Sequence, residues 1–336
     1  MSDTNSNSSG FLGLGQPLIK LFETIACGIG KLYEPIHIKR MAKAKAKEIE
    51  IISDSFCKNI DLPIVYTDGA ISINTQDAND LVLRAQNRLC FQELRKQQNI
   101  EAVVLNAYND LKNEVSVSNI PVDIDWISEF FNDVANISSE QMQQIWGRLL
   151  AGEIKRPGSF SLRTLETLKK LSQKEARIFE EVSPYILSCR GDQAESYFDF
   201  FLLENMNGSL LSQYGILFNK IMILSEAGIL SENNQISFVL DVRPNDSALI
   251  KGLYKAIEIK NLENEVIRVS HFVYLLTESG KELLPIVLNC KGKKEKADAY
   301  LRDCLEELKS GTATMINSEI VKRAGHQILW KIIDSK

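Results

Sequence analysis

The sequence has few of the residues that mark the common kinds of site. Its 336 residues contain three histidines, at positions 37, 271 and 326, so a histidine-rich metal site is not expected. Its six cysteines, at 27, 57, 90, 189, 290 and 304, include no C-x-x-C pair, which disfavours zinc-ribbon and thioredoxin-like motifs. We therefore expect reduced thiols, and we predict neither a metal nor a cofactor.

Long apolar runs and excess positive charge are also missing. The sequence has no apolar run of about 18 residues, which excludes a conventional transmembrane span. Lys and Arg number 39 and Asp and Glu number 44, so the formal net charge is −5. This balance excludes a dominantly basic nucleic-acid-binding protein, although not a local basic patch. The polar first residues lack the basic start of a signal peptide, so we expect a disordered tail over 1–10 and a cytoplasmic location.

The sequence motifs of common enzymes are absent. No phosphate-binding glycine motif, no G-x-S-x-G and no grouping of Ser, His and Asp occurs. Asp123 and Asp125 form a close acidic pair, as metal-dependent nucleases use. Because Asp125 directly precedes a helical pattern, a helix N-cap explains it without a metal. The sequence therefore predicts a protein that is not an enzyme, although a site assembled across domains would escape this search.

Residues 11–60 carry the features that we interpret as a contact surface. After Pro17, apolar residues recur at three- and four-residue spacing, which is typical of an amphipathic helix of about four turns. Glycines weaken this helix in water, so it needs a surface to fold against, and either the protein's own core or a lipid interface would serve. A basic helix follows over 36–58, and its first acid is Glu48.

A basic cluster beside an amphipathic helix favours contact with an anionic membrane, at about 1 kcal/mol per Lys or Arg. A solvated helix face is the alternative interpretation of the same charges. The predicted membrane or partner contact consists of Leu18, Leu21, Phe22, Ile25, Ile29, Lys39, Arg40, Lys43, Lys45 and Lys47.

The next segment, 61–120, is predicted to hold a hairpin or loop and a long helix. Pro63 and the Asp68-Gly69 pair lie between short β-prone runs, which is typical of a small hairpin. Apolar periodicity then continues from Asp77 to about Glu114, and we expect this helix to break near 97–99.

Residues 121–188 have the clearest helix boundaries, and we predict a bundle of four short helices. Two capping boxes mark helix starts, Ser138 with Gln141 and Ser172 with Glu175. Trp146 lies on an apolar stripe and is predicted to anchor the core.

Residues 189–336 change to an α+β pattern. A helix ending at Gly228 precedes strand-like runs at 236–242, 256–261 and 266–276, a helix capped by Thr277 and a closing strand at 326–333. The order of helix, strands and helix is similar to a winged helix. The fold is thus predicted to be mainly α, with long N-terminal helices and a helical bundle followed by a smaller α+β, winged-helix-like C-terminal domain.

Two resemblances cover parts of this chain. The segment 125–179 resembles an uncharacterised bacterial family, to which the amphipathic and basic opening of the chain is also similar. The same segment is similar to part of the abortive-infection alpha proteins of phage defence. The matching positions are Trp146, Leu149, Leu150, Ala151, Leu165, Leu168, Leu171, Ser172, Glu175 and Ala176.

The resemblance implies a fold more than an activity, because these are packing and capping residues. With the contact surface above, it leads us to expect a non-enzymatic defence or stress protein that binds a membrane or a protein partner through its N-terminal helices. The expected location is the cytoplasm, with peripheral contact at the inner membrane. The alternatives are an oligomeric assembly module and a winged-helix DNA-binding regulator; the net charge argues against a nucleic-acid partner.

Overall fold

The structure is a computed structural model and describes residues 15–29, 64–67, 70–73, 81–191, 200–205, 208–232, 236–288, 293–315 and 328–334. The chain divides into two compact units between Leu165 and Glu166, within the segment 121–188 that was predicted to be one bundle. The described residues are mainly helical, with small antiparallel sheets, as the sequence predicts.

In its described residues, the first unit is helical apart from one hairpin. Its described elements are α1 Gln16–Ile29, β1 Ile64–Thr67, β2 Ala70–Ile73, α2 Leu81–Leu111, α3 Ile124–Val134 and α4 Glu140–Lys155. The antiparallel pairing of β1 with β2 confirms the predicted hairpin. The predicted break in the long helix is wrong, because α2 runs unbroken for 31 residues. The polar residues that suggested a break have partners: Asn99 donates to the carbonyl of Ala135 at 2.8 Å, and Gln97 to Glu101 at 2.9 Å.

Aromatic rings and a close helix contact build the core of the first unit. Trp146 is fully buried and meets the ring of Phe130 edge-on at 5.5 Å, and Phe130 stacks on Trp126 at 5.3 Å. A Cβ atom at Gly147 would overlap that of Asn106, so this glycine lets α2 and α4 pack closely. The predicted role of Trp146 as a core anchor is confirmed.

Two predicted helix caps are shifted in the structure. Asp123, not Asp125, caps α3, since its carboxylate accepts the N–H groups of Asp125 and Trp126 at 2.9 Å. The hydroxyl of Ser139, not Ser138, caps α4. The hydroxyl of Ser138 instead accepts a hydrogen bond from Arg95 at 3.1 Å, so the predicted box with Gln141 is wrong.

The second unit begins at Glu166, inside α5, which crosses the division. Its helices are α5 Leu162–Lys170, α6 Gln173–Val182, α7 Leu210–Gln213, α8 Phe218–Glu226, α9 Glu278–Val287 and α10 Lys294–Met315, with a 3-10 turn at Ser183–Tyr185. Its strands are β3 Ser188–Gly191, β4 Phe201–Glu204, β5 Ile236–Val242, β6 Ser247–Lys251, β7 Lys255–Asn261, β8 Ile267–Leu275 and β9 Ile328–Asp334.

The strands of the second unit form two antiparallel sheets, with the orders β3-β6-β7-β9 and β4-β8-β5. The predicted strands over β5, β7, β8 and β9 are confirmed, and so are the Ser172–Glu175 capping box and the Thr277 cap. Strands β3, β4 and β6 were missed, because four or five residues are too few to show a clear two-residue alternation and β4 is buried throughout.

Candidate helix-binding groove and cleft

Helix α1 packs against α2, α3 and α4, and the surface of these three helices that receives it is here called the α1 groove. Four of the residues predicted to contact a membrane or partner lie inside it. Leu21 and Ile25 have no exposed area, Phe22 is 2% exposed and Leu18 is 7% exposed.

This burial corrects the simplest form of the predicted contact. Each apolar side chain of this size gains about 1.5–3 kcal/mol from burial, so the protein's own core holds the apolar face of α1. In this packing the four side chains are inaccessible to a membrane or a partner. Any such contact by them requires α1 to leave the groove.

Lys20 fixes α1 to the linker that follows α2. The sequence places Lys20 and Thr24 on the polar face of the helix, but both are buried, at 9% and 6% exposed. The Lys20 ammonium donates to the backbone carbonyls of Ser118 and Ile120. Burial lowers the pKa of Lys20, opposed by the nearby carboxylate of Glu23. A linker that crosses a helix leaves no periodic signal, so the sequence could not show this contact.

Gly28 brings the last turn of α1 directly against α3. A Cβ atom at this position would lie 2.5 Å from the Phe131 ring and 3.2 Å from Ile127. Composition alone suggests that this glycine weakens the helix. The structure shows that it also permits a close helix contact.

Beyond Gly28, the space between α2 and α3 stays open as a cleft of about 500 Å³. Its apolar lining includes Ile29, Ile100 and Phe131, and its polar lining includes Ser128, Asn132 and Asn136. Glu93 and Lys96 also border the cleft and form an ion pair at 2.7 Å. Small-molecule pockets are lined mainly by apolar side chains, whereas this cleft has more polar ones, so it suits a ligand that carries many hydrogen-bonding groups.

The rest of the predicted contact divides into two parts. Ile29 is half-buried and lines the cleft. Lys39, Arg40, Lys43, Lys45 and Lys47 lie outside the described residues. The prediction for these five basic residues therefore stays a prediction.

A buried polar cluster in the second unit was not predicted. The rings of Tyr185, Tyr214 and Tyr300 contact one another at 5.3–5.6 Å between centroids. The hydroxyl of Tyr214 donates to Asp303, and that of Tyr300 both accepts from the N–H and donates to the carbonyl of Leu203. These bonds attach α10 to β4, and they join residues too distant in sequence to show a motif.

Burial favours the neutral forms of Tyr214 and Tyr300 and of two neighbouring groups, the Cys304 thiol and the His271 imidazole. Burial raises the pKa of Tyr214, Tyr300 and Cys304, and it lowers the pKa of His271, which faces Glu307 at 3.9 Å. A nucleophile needs the opposite shift and an open approach, whereas Cys304 is fully buried. The arrangement fits a role in packing.

Within the described ranges, no group of three or more His, Cys, Asp and Glu side chains is placed to hold a metal ion. The helices in the same ranges were also tested for membrane-spanning length and hydropathy, and none satisfies both.

The family DUF2806, described as a protein of unknown function, matches residues 83–299. Neither a curated protein nor a solved structure matches the chain. The match begins in α2, so the three helices that form the α1 groove lie almost wholly inside it and α1 lies before it.

Proposed function

This chain belongs to the DUF2806 family, and we propose that its first unit is a non-enzymatic interaction module that stores α1 in the α1 groove and releases it. Released α1 would present its apolar face, beside the basic segment 39–47, to an anionic membrane surface. The observation that carries the proposal is the burial of Leu18, Leu21, Phe22 and Ile25 in a groove formed by the matched region.

The geometry of α1 resembles a common mode of protein recognition. An amphipathic helix laid in a groove, with anchors at i, i+3, i+4 and i+7, is how many domains bind a partner helix. The four buried residues have this spacing, from Leu18 to Ile25. Here the helix and the groove belong to one chain, and 51 residues, 30–80, separate α1 from α2. The sequence between α1 and α2 is thus long enough that α1 is not held in the groove by a short connection.

The Lys20 contact supports release as a physiological event. Burying an ammonium group costs desolvation energy that an apolar side chain at the same place would not cost. The two carbonyl bonds offset this cost only while the linker at Ser118 and Ile120 stays in place. Docking of α1 is therefore conditional on the position of the linker.

Co-sedimentation with vesicles of anionic phospholipid tests the proposal on the full chain. The variant Lys20→Met keeps the aliphatic stem but loses both carbonyl bonds, and we expect it to bind vesicles more strongly than the wild type. Salt should weaken this binding, because the basic segment contributes to it. The matched control is Lys112→Met, an exposed lysine whose ammonium bonds, among the described residues, only the Asn109 side chain, at 2.9 Å.

Equal vesicle binding by Lys20→Met, Lys112→Met and the wild type would refute membrane contact by released α1. If Lys20→Met bound neutral and anionic vesicles equally strongly, the basic segment 39–47 would have no part in the membrane contact. Circular dichroism of each variant verifies that the helices are retained.

We also propose that α8, β5, β8 and α9 form a winged-helix arrangement. The supporting features are the antiparallel pairing of β5 with β8 and the start of α9 directly after β8, at the Thr277 cap. The charges do not favour DNA binding. Within α8, whose residues are all described, Lys220 is the one basic side chain, and it pairs with Glu181 at 2.8 Å.

A further inference from the structure

No matching family or protein assigns a role to the cleft beside the end of α1. This cleft exists only while α1 is docked in the groove. Gly28 and Ile29 of α1 form part of its wall, whereas α2 and α3 form the rest. We infer that this cleft binds a short extended peptide segment of a partner protein, through hydrogen bonds to the N–H and C=O groups of the peptide's main chain. This inference goes beyond the proposed release of α1.

The polar side of the cleft has the spacing of an extended chain. Ser128, Asn132 and Asn136 follow one another at four-residue intervals, and all three side chains are exposed. Four residues of helix advance about 6 Å. Two residues of an extended peptide advance about 6.6–6.8 Å. Ser128 and Asn132 of α3 can therefore meet alternate peptide groups of a bound segment, and Asn136 extends the row two residues beyond the end of the helix at Val134.

The three polar side chains offer both acceptors and donors to a ligand. Ser128 donates its hydroxyl hydrogen to the carbonyl of Ile124 at 2.7 Å, and Asn136 donates one amide hydrogen to the carbonyl of Asn132 at 3.3 Å. Their oxygen atoms keep lone pairs for a ligand. Across the ranges that the structure describes, nothing bonds the Asn132 carboxamide. A ligand that carries both N–H donors and C=O acceptors, such as a peptide main chain, complements this row.

The apolar lining suits the side chains of the same ligand. Ile100 is 9% exposed and Phe131 is 3% exposed, so each presents a small apolar surface to the cleft. Alternate side chains of an extended peptide point to the same side, which places every second residue on this surface. Glu93 and Lys96 form an ion pair, so their charges cancel and the cleft favours neither a positive nor a negative ligand side chain. A volume of about 500 Å³ lies in the range of ligand pockets and holds a few residues.

Fluorescence anisotropy on the full chain tests the inference with a defined probe, a labelled hexapeptide of alternating valine and serine with blocked ends. We expect saturable binding that weakens at least tenfold when the same peptide is N-methylated along its main chain. Asn132→Leu should weaken binding at least fivefold. Asn109→Leu, at an exposed position of α2 outside the cleft, is the matched control and should bind as the wild type does.

Three results would overturn the inference: equal binding of the N-methylated peptide, unchanged binding by Asn132→Leu, or no saturable binding up to about 1 mM. These outcomes are separate from a failure of the proposed function, because peptide binding uses docked α1 and vesicle binding uses released α1. As a further readout, the bound peptide should slow hydrogen exchange in α1, since a ligand of the docked form stabilises that form.

Discussion

Replacing Lys20 with methionine should loosen α1 without unfolding the rest of the first unit. The ammonium donates two hydrogen bonds to the carbonyls of Ser118 and Ile120, and hydrogen bonds to charged groups contribute about 1.5–3 kcal/mol each. Removing the buried charge also removes its desolvation cost, and the half-exposed linker lets water reach the carbonyls. The net loss of docking free energy is therefore about 1–3 kcal/mol.

Hydrogen exchange measured by mass spectrometry on peptides covering 16–29 tests this magnitude. A loss of about 1–3 kcal/mol raises the population of the open form roughly 5- to 150-fold. The exchange of α1 amides should accelerate by the same factor under conditions in which reclosing is faster than exchange. Exchange in α4, around the fully buried Trp146, should not change.

Two results would refute this reasoning. Unchanged exchange in α1 would mean that Lys20 does not hold the helix. Equal acceleration in α1 and α4 would mean that α1 opens only with the whole unit, so that it cannot be released separately. Lys112→Met serves as the control and should leave both helices unchanged.

Three further substitutions test other parts of the structure. Glu153→Gln should destabilise the first unit by about 1–3 kcal/mol in urea unfolding, because the buried carboxylate accepts three loop N–H groups, among them those of Gly158 and Phe160. Tyr300→Phe should lower the free energy of unfolding by a similar amount, since the N–H and carbonyl of Leu203 lose their hydrogen-bond partner. Stability equal to that of the wild type would contradict these hydrogen bonds. Burial lowers the pKa of His271 below its usual 6.5, so the imidazole takes up a proton at a higher pH in the unfolded chain than in the folded one. The free energy of unfolding should therefore decrease as the pH falls below about 6.5, by up to about 1.4 kcal/mol per pH unit. In thermal unfolding, the stability of His271→Asn should fall less steeply between pH 6.5 and 5 than that of the wild type. An unchanged slope would exclude His271 as the source of this pH dependence.

The sequence predicts helices and strands well where a regular pattern is long enough to be seen. The apolar spacing of α1, the strand run of β5 and the Ser172–Glu175 capping box were all recognised. The spacing identified an apolar face of α1, and the structure buries that face in the protein's own core. Periodicity shows that a face is apolar, but not whether the partner is a membrane or the same chain.

The candidate site depended on contacts between residues far apart in sequence. Lys20 meets its carbonyl partners about a hundred positions away, and the role of Gly28 depends on Phe131 of α3. The cleft is lined by residues of α1 and α2 and of α3 with the turn that follows it, which no local motif encodes. The resemblance to an uncharacterised family agrees with the DUF2806 match, whereas the resemblance to abortive-infection proteins stays a prediction.

The Tyr300 hydroxyl also determines what the edge of a sheet can do. Strand β4 is an outer strand, and its outward polar groups are all engaged: those of Phe201 pair with Leu187 at 2.8 Å, and those of Leu203 pair with Tyr300. An open edge invites another chain to add a strand, which is a frequent route to aggregation. A single phenol thus completes the closure of this edge, and copies of the protein cannot join through it without first displacing α10.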